Sequence, residues 1–168
     1  VNYFTALGDD PASGEMLDFI AATGIGTGNI RRLPGKAPGL YMIHLDHGER
    51  SFSYWRSVSA ARELANDRAA LEAAIAVADI VYFSGITLSI YSKKGLDVLA
   101  EAVRAARAAG ATIAIDSNYR PRGWGGDLAR ARATFERFWS LAHVCLPTFD
   151  DEQALWDDKM PADTLDRL

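Results

Sequence analysis

Residues 112–126, TIAIDSNYRPRGWGG, change abruptly from apolar to polar side chains. The apolar run is of strand type and ends at Asp116, and Arg120 follows it beside a proline. A guanidinium at a strand end presents a planar fork of donors that suits a carboxylate or a phosphate. Arg120 is therefore a candidate anion-binding residue. The alternative is that Arg120 and Arg122 only pair with Asp116 or Asp127.

Similar polar residues follow three other apolar runs. In an open parallel sheet, ligands bind beyond the carboxyl ends of the strands, where loops and helix N-termini converge. Taken singly, each of these residues could equally be a helix cap or a loop residue. Their recurrence after four runs favours a binding site. The residues are Gly8, Asp9, Asp10, Ser84, Gly85, Thr87, Asp116, Asn118, Tyr119, Arg120, Thr148, Asp150, Asp151 and Glu152.

A second set of candidate residues lies in two β-type runs, GLYMIHL and RSFSYWRS, which the turn-forming DHGE joins. The pattern predicts an antiparallel hairpin that projects from the α/β layer. Because alternate residues of a strand share a face, Tyr54 and Arg56 lie on one side and could close over a polar ligand with Tyr41. The alternative is an aromatic strand in a subunit interface, and opposite faces of one sheet can do both.

Several patterns suggest chemistry that their context does not support. GIGTGN follows a helix instead of a strand, so the dinucleotide fingerprint is absent, and neither GxxxxGK[ST] nor GxSxG occurs. The run HLDHGE offers His44, Asp46, His47 and Glu49 as ligands, but its place in a turn favours solvated side chains, and we predict no metal site. Cys145 is interpreted as a buried packing thiol.

The composition is that of a soluble globular chain, with 168 residues, 49% apolar and 24% charged side chains. A net charge of -4 gives no general attraction to nucleic acids or anionic membranes, and we expect neither as a partner. No apolar run reaches the roughly 18 residues of a membrane helix, and no signal peptide opens the chain, so we expect a cytoplasmic protein. The chain begins with Val1 and ends in helical sequence without a stop signal, which predicts a fragment.

Strand-like and helix-like runs alternate along most of the chain. Strands separated by helices of this length indicate right-handed crossovers and a parallel sheet covered on both faces. Strands are predicted in VNYFTALGDD, ADIVYFSGIT, ATIAIDSN and HVCLPT. Helices are predicted in ASGEMLDFIAATGI, ARELANDRAALEAAIAVA, KKGLDVLAEAVRAARAAG, DLARARATFERFWSLA and DDEQALWDD.

The order of these motifs resembles the carbohydrate kinases of the PfkB (ribokinase-like) family, and the resemblance spans nearly the whole chain. The hairpin YWR and the strand end DSNYRPRGW resemble in particular the branch that acts on 2-keto-3-deoxygluconate. The resemblance implies a partial α/β core, with a doubly wound and mostly parallel sheet, over residues 1–27 and 57–168. It also implies a small β lid over residues 28–56, with N- and C-terminal parts of the fold missing.

The resemblance also implies roles for individual residues. The acid sugar would be bound by Tyr41, Tyr54, Arg56, Ile86, Thr87 and Arg120. ATP and Mg²⁺ would lie near Asn118, Thr148 and Asp151, although the family more often carries asparagine where this chain has Thr148. The lid implies a homo-oligomer. The family's catalytic base lies in a GAGD motif that these 168 residues do not contain, so we expect this chain alone to be inactive.

The function so implied is ATP-dependent phosphorylation of the C6 hydroxyl of 2-keto-3-deoxygluconate by the complete protein, in the Entner-Doudoroff route. The substrate's carboxylate, which neutral sugars lack, could accept a charge-assisted hydrogen bond of roughly 1.5 to 3 kcal/mol from an arginine. One alternative is another PfkB sugar kinase, such as a fructokinase. A second alternative is a non-catalytic remnant that binds sugar or dimerises.

Overall fold

The computed structural model describes all residues from 1 to 168. The chain divides into two compact units, Val1–Ala74 and Ile75–Leu168. The first unit contains a short parallel strand pair and the hairpin, and the second contains a three-stranded parallel sheet with its helices. No helix is both long and apolar enough to cross a bilayer.

The first unit begins with strand β1 (Thr5–Leu7), helix α1 (Pro11–Ala22) and strand β2 (Ile30–Arg32). β2 pairs in parallel with β1, so it extends the layer of β1 and not the hairpin. The side chain of Asp10 accepts a hydrogen bond from the backbone of Ser13, which satisfies a donor that the first turn of α1 would otherwise leave unpaired.

The predicted hairpin is confirmed by strands β3 (Leu40–Asp46) and β4 (Glu49–Trp55), which pair antiparallel. The two residues between them, His47 and Gly48, have φ values of 48° and 88°. Two consecutive positive φ angles produce a turn whose twist matches that of the flanking strands. This two-residue turn sets the register and places Tyr41 opposite Tyr54.

One predicted helix is not continuous. The run predicted over residues 61–78 forms a 3₁₀ helix, Ala60–Asn66, and then helix α2, Arg68–Ala76. Asp67 separates them, with φ −98° and ψ 88°, and its carboxylate accepts a hydrogen bond from the backbone N–H of Ala70 at 3.0 Å. The prediction of a single helix was wrong here because an aspartate side chain can compete for helical backbone donors and start a new helix.

The second unit confirms the predicted alternation of strands and helices. Three strands pair in parallel in the order β5-β6-β7. The strands are β5 (Ile80–Ser84), β6 (Thr112–Asp116) and β7 (Val144–Leu146). The helices are α3 (Gly85–Ile90), α4 (Lys93–Ala108), α5 (Leu128–Trp139), α6 (Phe149–Trp156) and α7 (Pro161–Arg167).

The two faces of this sheet differ in burial. Val81, Phe83, Ile113 and Ile115 are buried on one face, where Phe83 meets Phe138 of α5 edge to face at 5.7 Å. On the other face, the side chains of Ile80, Tyr82, Val144 and Leu146 are exposed. The expected sheet covered on both faces is therefore not found within these 168 residues, because the helices of this unit bury only one face.

The chain after β5 also differs from the prediction. The strand expected over residues 78–87 ends at Ser84, and Gly85 begins α3. A Cβ atom on Gly85 would lie 2.1 Å from the carbonyl oxygen of Ser117 and 2.4 Å from Cζ of Phe135. Only glycine allows the backbone of α3 to approach the end of β6 so closely.

Candidate functional site

The end of strand β6 contains a tight polar turn. The Asp116 carboxylate accepts two hydrogen bonds, one on Oδ1 from the backbone N–H of Asn118 and one on Oδ2 from the hydroxyl of Tyr82, each at 3.0 Å. Asn118 has φ 30°, in the left-handed region that non-glycine residues seldom adopt. Its Oδ1 atom is buried without a hydrogen-bond partner.

A buried acceptor without a partner is unusual and needs an explanation. An amide oxygen is a suitable ligand for Mg²⁺ or for its bound water molecules. The chemistry of Asn118 therefore fits the position that the family resemblance implies for it, near the phosphates of a magnesium nucleotide.

Arg120 pairs with Asp151, which lies in the first turn of α6. Its Nη1 atom donates to Oδ1 of Asp151 at 3.1 Å and to the carbonyl oxygen of Tyr119 at 2.7 Å. The other oxygen of Asp151 accepts the backbone N–H of Tyr119 at 3.1 Å. The partner of Arg120 is therefore neither Asp116 nor Asp127, the two carboxylates considered from the sequence.

The two side chains of this pair differ in exposure. The Arg120 side chain is 53% exposed, whereas that of Asp151 is only 15% exposed. Because both hydrogen bonds of the guanidinium come from Nη1, its outer edge with Nη2 faces no protein acceptor. The pair holds Arg120 in place and leaves part of its donor fork for an anion.

The loop before α6 is joined to the loop after β6 by Ser117, a residue that no sequence pattern marked as functional. Ser117 is fully buried, and its hydroxyl accepts the backbone N–H of Thr148 at 3.2 Å. Thr148 is the N-cap residue of α6, yet its side chain makes no capping hydrogen bond. The Thr148 hydroxyl therefore remains available to a ligand.

Ile86 and Thr87 lie in the first turn of α3, directly after β5, and both are half-buried. In the sheet, Ser84 pairs with Asp116 and Asp116 with Leu146, so the three strands end at the same edge. The second unit thus brings six predicted residues to this edge. They are Ile86, Thr87, Asn118, Arg120, Thr148 and Asp151.

The remaining three predicted residues, Tyr41, Tyr54 and Arg56, lie in the first unit. The rings of Tyr41 and Tyr54 are 6.3 Å apart, and both approach Phe52. Cζ of Arg56 lies 4.4 Å from the centre of the Tyr54 ring, within range of a cation-π interaction. This contact confirms that Tyr54 and Arg56 share a face of the hairpin.

The polar residues after β1 have structural partners. Oδ1 of Asp9 accepts the backbone N–H of Gly35 at 2.9 Å, and Asp10 caps α1. The hydrogen bond from the Ser13 hydroxyl to Asp10, at 2.6 Å, lowers the pKa of that carboxyl. Of the four strand ends singled out in the sequence, this one is therefore explained by capping and loop closure.

The candidate metal ligands of the hairpin turn do not cluster around a common point. His44 shares a hydrogen bond with Ser53 at 2.9 Å, and His47 lies 3.5 Å from Asp46 with both side chains exposed. No group of three or more histidine, cysteine, aspartate or glutamate side chains is placed to hold a metal ion. Cys145 is half-buried, and burial raises the pKa of its thiol, which agrees with a packing role.

Glu152 is buried, although it directly follows Asp151 in the sequence. Its Oε2 atom accepts from Arg167 at 3.0 Å, and Arg167 also donates to Asp158 at 2.5 Å. Burial raises the pKa of Glu152, while the hydrogen bond from Arg167 lowers that of Asp158. This cluster joins α6 to α7, so Glu152 belongs to the packing of the helices.

The sequence model of the pfkB family of carbohydrate kinases matches the whole chain, residues 1–168. A 2-dehydro-3-deoxygluconokinase of Haemophilus influenzae is 42% identical over 171 residues, which cover 100% of this chain and 54% of that protein. A 2-dehydro-3-deoxygluconokinase of Dickeya dadantii is 38% identical and is covered to 53%, with 97% of this chain aligned. The chain thus spans about half the length of the curated relatives it matches.

Two solved structures have the same fold. The crystal structure of 2-dehydro-3-deoxygluconokinase from Thermotoga maritima matches with a TM-score of 0.83 and 23% identity, over 99% of this chain and 54% of that one. The fructokinase of Xylella fastidiosa matches with a TM-score of 0.77 and 28% identity, over 99% of this chain and 48% of that one. These matches confirm the predicted α/β fold of ribokinase type.

Proposed function

The chain belongs to the pfkB family of carbohydrate kinases, and from this premise we propose that the protein containing it phosphorylates the C6 hydroxyl of 2-keto-3-deoxygluconate with ATP. The product would be 2-keto-3-deoxy-6-phosphogluconate. The identity of 42% across the whole chain to a relative of matching name supports the choice of substrate. We further propose that the protein acts in the cytoplasm, where ATP is abundant.

The observation that supports an acidic substrate is that each of the two groups of candidate residues contains an arginine. Arg56 lies over the Tyr54 ring on the hairpin, and Arg120 is fixed at the end of β6 by Asp151. A substrate carboxylate can accept hydrogen bonds from guanidinium groups that are already oriented. In this proposal Tyr41 and Tyr54 bind the sugar's hydroxyl groups, and Ile86 and Thr87 line its pocket.

The nucleotide is proposed to bind near Asn118, Thr148 and Asp151. ATP with Mg²⁺ supplies the transferred phosphoryl group and neutralises much of its charge. Asn118 contributes an unpaired amide oxygen, Thr148 an unpaired hydroxyl and Asp151 a carboxylate held by Tyr119 and Arg120. These groups suit a hydrated divalent cation and phosphate oxygens.

The hairpin is proposed to act as a lid that excludes water, which would otherwise hydrolyse the nucleotide. Its exposed apolar side chains on the face opposite Tyr41 are proposed to form the contact between two subunits. By the family resemblance, the general base is proposed to come from a GAGD segment. These 168 residues contain no such sequence, so the segment would belong to another part of the full-length protein.

Fructose is the second candidate substrate. The fructokinase of Xylella fastidiosa is 28% identical to this chain, a higher value than the 23% of the Thermotoga maritima structure. A neutral sugar would leave Arg56 and Arg120 without a carboxylate to bind. The charge of the preferred substrate therefore distinguishes the two proposals.

The test is to produce the full-length protein and measure ADP release with magnesium and ATP on 2-keto-3-deoxygluconate, fructose and ribose in parallel. We expect the highest kcat/KM for the acid sugar. A preference for fructose would support the fructokinase alternative and would assign structural roles to the two arginines. Sugar binding without any ADP release would favour the non-catalytic alternative.

A further inference from the structure

Tyr82 makes an unusual contact for a residue in the middle of a strand. It lies on the uncovered face of the β5-β6-β7 sheet, where the residue is 58% exposed. Tyr82 pairs with Ala114 in the sheet, yet its hydroxyl reaches two residues further along β6 and donates to Oδ2 of Asp116. A long aromatic side chain can span such a diagonal between neighbouring strands.

The opposite oxygen of Asp116 performs a different task. Oδ1 accepts the backbone N–H of Asn118 and thereby closes a turn of the type that aspartate side chains form two residues ahead. Inside this turn, Asn118 adopts its left-handed conformation with φ 30°. Asparagine tolerates this region better than most non-glycine residues, and the hydrogen bond from its backbone N–H to Asp116 helps to hold Asn118 there.

The three residues therefore form a chain of two hydrogen bonds, from Tyr82 to Asp116 and from Asn118 to Asp116. If the Tyr82 hydroxyl were removed, the Asp116 carboxylate would lose one of its two donors and could rotate. Nothing in this chain of contacts involves the hairpin or Arg120. The residue that these two hydrogen bonds act on directly is therefore Asn118.

We propose that Tyr82 and Asp116 are positioning residues for the nucleotide: together they hold Asn118 in the conformation that binds the phosphates and magnesium of ATP. The inference rests on the proposed function, because it takes from it the role of Asn118. Neither Tyr82 nor Asp116 contacts the sugar in this assignment. Their loss therefore weakens nucleotide binding and leaves sugar binding unchanged.

The test uses the full-length protein and calorimetric binding, without turnover, of a non-hydrolysable ATP analogue with magnesium. We expect Tyr82→Phe to weaken binding of the analogue by roughly three- to tenfold, the loss of one hydrogen bond in a positioning chain. Binding of 2-keto-3-deoxygluconate should stay the same. The control is Tyr3→Phe, which removes the hydroxyl of another exposed tyrosine and should change neither affinity.

A double-mutant cycle separates positioning from a general structural effect. Asn118→Gly removes the amide but tolerates the left-handed conformation. If Tyr82 acts only through Asn118, adding Tyr82→Phe to Asn118→Gly should cause no further loss of nucleotide affinity. If Tyr82→Phe lowers nucleotide affinity by the same factor in the native protein and in Asn118→Gly, the proposal is overturned.

Further outcomes distinguish this inference from the proposed function. Native affinity in Tyr82→Phe would overturn the inference alone, provided that the native protein binds the analogue. A native protein that binds no magnesium nucleotide would overturn both proposals. If Tyr82→Phe lowers the yield of folded protein, Asp116→Ala provides the second variant, because alanine cannot accept the Asn118 N–H, and it should weaken the analogue's binding while sparing the sugar's.

Discussion

Arg120 and Asp151 are 31 residues apart in the sequence, and the structure joins them by a hydrogen bond of 3.1 Å between Nη1 and Oδ1. The pair links a residue proposed to bind the acid sugar with one proposed to bind the nucleotide. An anion bound at the outer edge of the guanidinium and the carboxylate of Asp151 would share the positive charge of Arg120. Sugar binding and nucleotide binding are thus expected to be coupled through this pair.

Arg120→Lys keeps the charge but removes the planar fork of donors. We expect kcat/KM for 2-keto-3-deoxygluconate to fall by roughly tenfold or more, the equivalent of one charge-assisted hydrogen bond. Steady-state kinetics of the full-length protein measure this change. The matched control is Arg104→Lys on the exposed side of α4, and equal kinetics for the two variants would refute the role of Arg120.

Arg56→Gln removes the charge that lies over the Tyr54 ring. We expect KM for the acid sugar to rise by roughly tenfold while KM for ATP stays the same, because the proposed role concerns the sugar carboxylate alone. Arg50→Gln, near the turn of the same hairpin, is the control. A rise in KM for ATP with an unchanged KM for the acid sugar would contradict the assignment.

Met42→Asp tests the proposed subunit contact. Leu40, Met42 and Trp55 share the face of the hairpin opposite Tyr41, and these residues are 50% to 60% exposed. A carboxylate in an apolar interface must be desolvated, so we expect a dimeric native protein to become monomeric in analytical ultracentrifugation. Phe19→Asp, which replaces an exposed apolar residue of α1, should leave the assembly intact.

Gly85→Ala tests the close approach between α3 and the end of β6. Its Cβ would lie 2.1 Å from the Ser117 carbonyl oxygen, so we expect the free energy of unfolding to fall by about 1 to 3 kcal/mol in urea titrations. Gly14→Ala, in α1, is the matched control because its Cβ meets no atom within 4 Å. Its helix propensity should raise the same free energy by about 0.5 to 1 kcal/mol.

Asp10→Asn tests the acid stability of the first unit. The Ser13 hydroxyl lowers the pKa of Asp10 below 3.8, so the folded chain binds this proton less tightly than the unfolded chain. The carboxylate therefore stabilises the fold above about pH 3.8, and this contribution is lost as the pH falls through the lower folded pKa.

Asparagine retains the capping acceptor but cannot titrate. Denaturant titrations between pH 2 and pH 5 should therefore show a shallower loss of stability with acid for Asp10→Asn than for the native protein. Asp18→Asn, which alters an exposed residue of the same helix, should keep the native slope. Identical slopes in all three proteins would show that the capping carboxylate does not determine how stability falls between pH 5 and pH 2.

Local patterns were sufficient to predict most of the elements. Period-two alternation and a two-residue turn specify the hairpin, and the apolar spacing of α4 and α5 specifies helices, because both depend on neighbours within a few residues. The same local logic placed polar residues at the strand ends. It failed at Asp67, where a side chain divides a helix, and at Gly85, where contact with Ser117 and Phe135 sets the backbone.

The tertiary structure alone decided which of these polar groups meet. The sequence shows that Arg120 follows a strand, but only the packing of α6 against the end of β6 selects Asp151 over Asp116 and Asp127 as its partner. Likewise, only the register of β5 on β6 brings the hydroxyl of Tyr82 to Asp116. Strand register and helix packing arise from contacts between residues tens of positions apart, which no local pattern of side chains encodes.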